Sequence, residues 1–174
     1  RPHLPSEGAL RPLEEGAALA GWTVWHTPGH RADHLCLIEP ERRIGVVGDL
    51  VAGAGTVIIN PPDGHMGQYL ASLERLRAAD LALLLPGHGP LVVQPRLLLE
   101  MFITHRLERE QKVLAALDDT PRSLSALLPI AYGDTSPALY GLAKRSLLAH
   151  LSKLQEEGRA AREGGGWRRE SRDG

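Results

Sequence analysis

The chain has 174 residues, of which 43% are hydrophobic and 24% charged, with a formal net charge of −1. Those values lie near the averages of folded globular chains and argue against disorder, a collagen-like rod or a coiled coil. A single cysteine, Cys36, excludes an intrachain disulfide framework and a multi-cysteine zinc site, and no apolar run reaches the roughly 18–20 residues of a membrane-spanning helix. The charge is uneven. From Pro137 onward there are 8 Lys/Arg and 5 Asp/Glu, a net of +3, which leaves −4 for the rest of the chain. A basic end on an acidic body is compatible with an anion-facing surface and with ordinary solvated helix faces.

Taken in chain order, the first 20 residues are rich in Pro and Gly and read as irregular. The Arg-Pro start carries no initiator Met and no signal peptide, and predicts a fragment of a longer chain. Trp22 to His26 is strand-like in its β-branched and aromatic content and is broken by Pro28 and Gly29. His34 to Ile38 and Ile44 to Val47 read as two further strands, the latter ended by Gly48-Asp49. Gly53 to Asn60 reads as a loop with some strand character. Over Met66 to Ala79 the spacing of Tyr69, Leu73 and Leu76 predicts a helix, with Glu74, Arg75 and Arg77 around its other side. Leu81 to Leu85 reads as a buried strand stopped by Pro86-Gly87.

The second half changes character. Arg96 to Asp118 is a long helical pattern, dense in charge after His105. Pro121 to Ala131 reads as a short helix with Ser123 as N-cap. A third helix begins at Ser136-Pro137 and runs to about Glu157, ended by Gly158. Arg159 to Arg169, centred on Gly164-Gly165-Gly166, reads as a small hairpin. Three helices followed by a hairpin give the order of a winged helix-turn-helix.

Chemistry concentrates in three turns that each follow a predicted strand: His26-Thr27-Pro28-Gly29-His30, Gly48-Asp49 and Pro86-Gly87-His88-Gly89-Pro90. Strand ends in an α/β sandwich gather on one edge, where sites are built. Gly and Pro hold such turns rigid. Two imidazoles and a carboxylate are suitable ligands for zinc or a similar divalent ion. Cys36 lies inside a predicted strand and reads as core, not as a nucleophile.

In this order, the three turns make the sequence resemble the C-terminal half of a metallo-β-lactamase-fold hydrolase. The resemblance implies an α/β fold: the C-terminal half of a four-layer αβ/βα sandwich over residues 1–95, then a linker helix and winged-helix-like domain over 96–174. It implies that His30 binds a first metal, that Asp49 bridges two metals, and that His88 binds the second. His26 and His34 flank the ligands in many relatives and are left outside the site. His65 stands where many relatives carry an acidic residue, and a surface role is expected of it. Thr104 to Gln111 resembles the linker helix of a subgroup typified by the β-lactamase-like protein 2 endoribonuclease. Leu147 to Leu151 and Lys153 to Gly158 resemble the last helix of its winged-helix domain.

One departure is large. The family's His-x-His-x-Asp-His motif does not occur in these residues, so the resemblance supplies three of seven expected ligands. The chain alone is therefore expected to be inactive and to bind metal weakly or not at all. Its partner would be the N-terminal half of the fold, in the same gene or as a separate chain. Completed, the family implies a binuclear, metal-dependent hydrolase with two divalent ions, zinc with manganese or iron as alternatives. Water activated by the metals would attack an ester, thioester or similar small substrate. The alternatives are a single-strand endoribonuclease and a non-catalytic remnant or split half. In the ribonuclease reading Lys144, Arg145, Lys153, Arg159, Arg162, Arg168 and Arg169 grip a phosphate backbone and Trp167 stacks on a base. In the small-substrate reading, favoured by the modest charge, the module walls the active-site cleft. A cytoplasmic location without membrane contact is expected, and a homodimer is allowed.

Overall fold

A computed structural model describes residues 12–170; the readings made for residues 1–11 lie outside that range. Five strands form one sheet in the order β1 (Ala18–Leu19), β2 (Trp22–His26), β3 (Leu35–Glu39), β4 (Ile44–Gly48) and β5 (Leu83–Pro86). The first four pair antiparallel through short turns. β5 pairs parallel to β4, because the connection between them crosses back through helix α1 (Met66–Ala78).

Alternation along the strands divides the sheet into two faces. Cys36, Ile38, Val47 and Leu84 lie on one face and are buried with Tyr69, Leu73 and Leu76 of α1. The other face is also apolar: Leu35, Leu37, Ile44, Val46, Leu83 and Leu85 point that way and remain half-buried, while Val24, opposite Leu37, is fully buried. Apolar residues on both faces are the mark of a sheet made to be covered twice. Helix α1 opens on His65, whose Nδ1 accepts from the Gln68 amide at 3.2 Å.

Gly53 to Asn60 carries no strand. The strand character read from it comes from Val57 and Ile59, which are buried in the sheet-side core from a loop. The fifth strand also begins two residues later than expected, at Leu83, since Leu81 packs into the core before pairing starts.

Helix α2 (Pro95–Ala116) joins two cores. Leu99, Phe102 and Ile103 enter the sheet-side core, while Val113 and Ala116 enter a second core. Between them, on the same buried stripe, lie Arg106 and Glu110, 3% and 2% exposed. Helix α3 (Leu124–Ala131) is capped by Ser123, whose Oγ accepts from the Ala126 amide. A 3-10 turn at Pro137–Leu139 leads into α4 (Tyr140–Glu156), which places Leu147, Leu151 and Leu154 fully in the second core. Gly158, at φ +66°, turns the chain into the hairpin β6 (Ala160–Glu163) and β7 (Gly166–Arg169). Trp167 is buried in that core, and its backbone exchanges two hydrogen bonds with Arg122, at 2.8 and 2.9 Å. The wing is thereby fastened to the segment that leads into α3.

Candidate functional site

The turn after β2 is held by its own side chains. The Thr27 hydroxyl is buried, donates to Cys36 Sγ at 3.2 Å and lies 2.9 Å from His34 Nδ1. Gly29 sits at φ +138°, where a Cβ would come within 2.2 Å of the Tyr69 backbone, so only glycine lets the turn lie this close to α1. His30 Nδ1 is 3.0 Å from the Ile58 carbonyl. With its proton on Nδ1 donated to that oxygen, the ring is fixed and Nε2 keeps a free lone pair, the usual arrangement behind a metal-binding imidazole.

The other two turns meet directly. Gly48 ends β4 at φ +48°, and its carbonyl accepts from the Gly87 amide at 2.7 Å. A Cβ on Gly87 would fall 2.7 Å from Asp49 Oδ1, so the glycine makes room for the carboxylate. His88 Nε2 lies 3.5 Å from that oxygen, and the His88 carbonyl accepts from Gly53 at 3.0 Å. His34 lies between the turns. Burial chiefly, then the neighbouring His30, lower its pKa, while Asp49 opposes the shift.

The structure thus brings Asp49 and His88 together, with His30 on the adjoining turn. In kind, these donors suit a divalent ion. In number they do not close a set: among the described residues no group of three or more His, Cys, Asp or Glu side chains is placed to hold a metal. His88 is 83% exposed and Asp49 46%, so both stand at the rim of the sheet.

Several other expectations are resolved. Cys36 is fully buried, and burial pushes its thiol up to about 11, which suits core rather than nucleophile. His26 Nε2 lies 2.8 Å from the Ala32 carbonyl. His65 caps α1 and pairs with Glu156 of α4 at 2.9 Å, a tie between the sheet side and the winged helix. Three of the seven cations proposed to grip a phosphate backbone are engaged internally. Lys153 and Arg159 both bind Glu110 and Glu157, and Arg168 binds Glu163 and Glu170. Trp167 packs in the core and is not free to stack on a base.

Sequence reasoning misses Arg106 and Glu110, which read as part of a solvated, charge-dense helix. Their signal is spacing: Leu99, Ile103, Arg106, Glu110 and Val113 continue one helical stripe. Arg106 donates to Thr56 Oγ1 at 3.0 Å and to the Val57 carbonyl. It lines a cleft of about 230 Å³ between the 56–58 loop and the winged-helix module, alongside Ile58, Tyr132 and Leu142.

Residues 11–88 match the metallo-beta-lactamase superfamily and residues 123–167 the beta-lactamase associated winged helix domain. The chain is 32% identical over 165 residues to a beta-lactamase-like protein 2 homolog of Drosophila melanogaster, covering 91% of this chain and 55% of that one. It is 28% identical over 173 residues to an atrochrysone carboxyl ACP thioesterase of Aspergillus aculeatus, with 90% and 54% covered. A metallo-beta-lactamase family protein from Thermus thermophilus superposes with a TM-score of 0.77 at 27% identity, over 91% of this chain and 54% of that one. The chain spans about half the length of the curated relatives it matches.

Proposed function

Residues 11–88 of this chain belong to the metallo-β-lactamase superfamily and residues 123–167 to the β-lactamase-associated winged helix, and from that premise we propose that the protein is a metal-dependent hydrolase of small esters or thioesters. The observation that carries the proposal is the meeting of the ligand turns at one sheet edge, with Asp49 and His88 3.5 Å apart. The remaining ligands would come from the upstream half of the fold, in the same gene or as a separate chain. Two divalent ions, zinc with manganese or iron as alternatives, would supply an acidified water and an electrophile for the substrate oxygen.

This chain's own residues have definite tasks in that reaction. His30 presents Nε2 while the Ile58 carbonyl holds its other nitrogen. Asp49 offers two oxygens where an imidazole offers one lone pair, so it is the group able to serve both ions. Gly87 keeps the carboxylate in place by leaving it room. The winged-helix module walls the cleft beside Ile58, in line with a small substrate. Internal pairing of Lys153, Arg159 and Arg168 favours that reading over an RNA backbone.

The test is turnover of an acyl thioester by the full-length protein and by its Asp49→Ala variant. The expected loss exceeds the ~10–100-fold that follows removal of a group behind a metal ligand. Wild-type turnover in the variant would overturn the assignment.

A further inference from the structure

Arg106 is a buried charge without a counter-ion. It is 3% exposed, and among the described residues no carboxylate lies within 4 Å of it; Glu110, one turn on, pairs instead with Lys153 and Arg159. Its guanidinium faces the Tyr69 ring at 5.6 Å, and its Nε has no hydrogen-bond partner. Buried cations are ordinarily paired, because desolvation without a partner is expensive. The neighbouring Arg109 shows the ordinary arrangement: it is fixed by Asp134 at 2.8 Å and stacked on Tyr132 at 4.3 Å.

The unpaired guanidinium lines the cleft of about 230 Å³ already described. That cleft has an apolar wall of Ile58, Leu139 and Leu142 and polar groups from Thr56 and Tyr132. Tyr132 is 5% exposed, and its hydroxyl also lacks a partner. An apolar wall with one unneutralised cation suits a ligand that has an apolar body and one negative group.

We propose that this cleft binds an organic anion, a carboxylate or phosphate monoester on a short apolar body, selected by the uncompensated charge of Arg106. Ile58 lines the cleft and also accepts from His30, so the bound molecule lies beside a ligand turn. Resting on the hydrolase reading, this anion is the end of the substrate remote from the bond that is cleaved.

The experiment is calorimetric titration of the full-length protein with hexanoate and with hexyl phosphate, which separates the two sources of charge. Leu142, 43% exposed at the cleft, is replaced by Glu to place a competing carboxylate there, and by Gln as the neutral control. Arg106→Gln is the direct variant, and the Leu142 pair decides the matter if that variant fails to fold. Saturable binding of either anion is expected, weakened about tenfold or more in Leu142→Glu and less than about threefold in Leu142→Gln, and further weakened by salt. No saturable binding, or equal affinity in the two Leu142 variants, overturns the proposal. So does binding of a single-stranded RNA oligomer, in place of both small anions, that is sensitive to the Leu142 charge. Binding that follows this pattern in a protein without hydrolase activity upholds the anion site and removes the hydrolase reading.

Discussion

Leu147, Leu151 and Leu154 of α4 are fully buried in a core that Trp167 of the wing closes, whereas Leu37, Val46 and Leu85 at the centre of the sheet's second face are only half-buried. Both regions present apolar residues that need cover. They differ in where the covering surface comes from. The winged helix supplies its own: α2, α3, α4 and the hairpin enclose one cluster. The sheet is covered by α1 and α2 on one face; the other, apolar as well, is closed within the chain at Val24 and elsewhere offered to a second layer. We propose that this layer is the upstream half of the sandwich, which would also bring the remaining metal ligands.

The largest effect on this comparison is expected at the junction of the two regions. Glu110 is the common partner of Lys153 and Arg159. Glu110→Ala removes one charge-assisted hydrogen bond from each cation, at about 1.5–3 kcal/mol apiece, and leaves them only the more exposed Glu157; it is expected to lower stability by about 3–5 kcal/mol, read from denaturant unfolding. A loss below about 1 kcal/mol would show that the junction does not hold the module together.

Next come the cores themselves. Leu151→Ala should cost about 2–5 kcal/mol, as buried leucine truncations do. Leu37→Ala in the 174-residue chain should cost less than about 1.5 kcal/mol, because the side chain is not fully withdrawn from water. Equal losses would mean that the second sheet face is covered from within this chain, which breaks the comparison.

Acid should act on the same junction. Burial alone would raise the Glu110 carboxyl, but His150, 3.9 Å away, and the Lys153 ammonium outweigh it and hold the pKa at about 2, below its ordinary 4.5. That group therefore contributes stability above about pH 4.5 that disappears as the pH falls towards 2. His150 is fully buried, and burial lowers its pKa below the ordinary 6.5 against the pull of Glu110. The unfolded chain then takes up its proton first, and stability falls as the pH drops through about 6.5. Unfolding midpoints should decline in both windows, and His150→Leu should shrink the upper decline, leaving the share of His34 and His105, whose pKa values burial also lowers. A wild-type midpoint that is flat from pH 7 to 5 would contradict this account. The smallest effect is expected at the half-exposed His65–Glu156 tie, where His65→Ala should cost no more than about 1 kcal/mol.

Much of this was legible in the sequence where local chemistry decides. The 3.6-residue spacing of Tyr69, Leu73 and Leu76 locates α1 and its buried face, Ser123 marks the start of α3, and Gly158 marks the end of α4. The turns that carry His30, Asp49 and His88 were legible as turns because Gly and Pro punctuate strands whose ends gather on one edge. What stayed hidden depends on partners distant in the chain. Arg106 and Glu110 look like solvated charges until α4 and the 56–58 loop close over them. Lys153 and Arg159 look free until Glu110, more than 40 residues earlier, claims both. Val57 and Ile59 alternate like a strand, yet they are anchored from a loop.

Metal content after dialysis of the full-length protein, compared among wild type and the His30→Ala, Asp49→Ala and His88→Ala variants, tests most directly whether these three side chains are ligands in a set completed from outside this chain. Bound divalent metal in the wild type, reduced in all three variants, is the result predicted. Wild-type metal content in all three would contradict it.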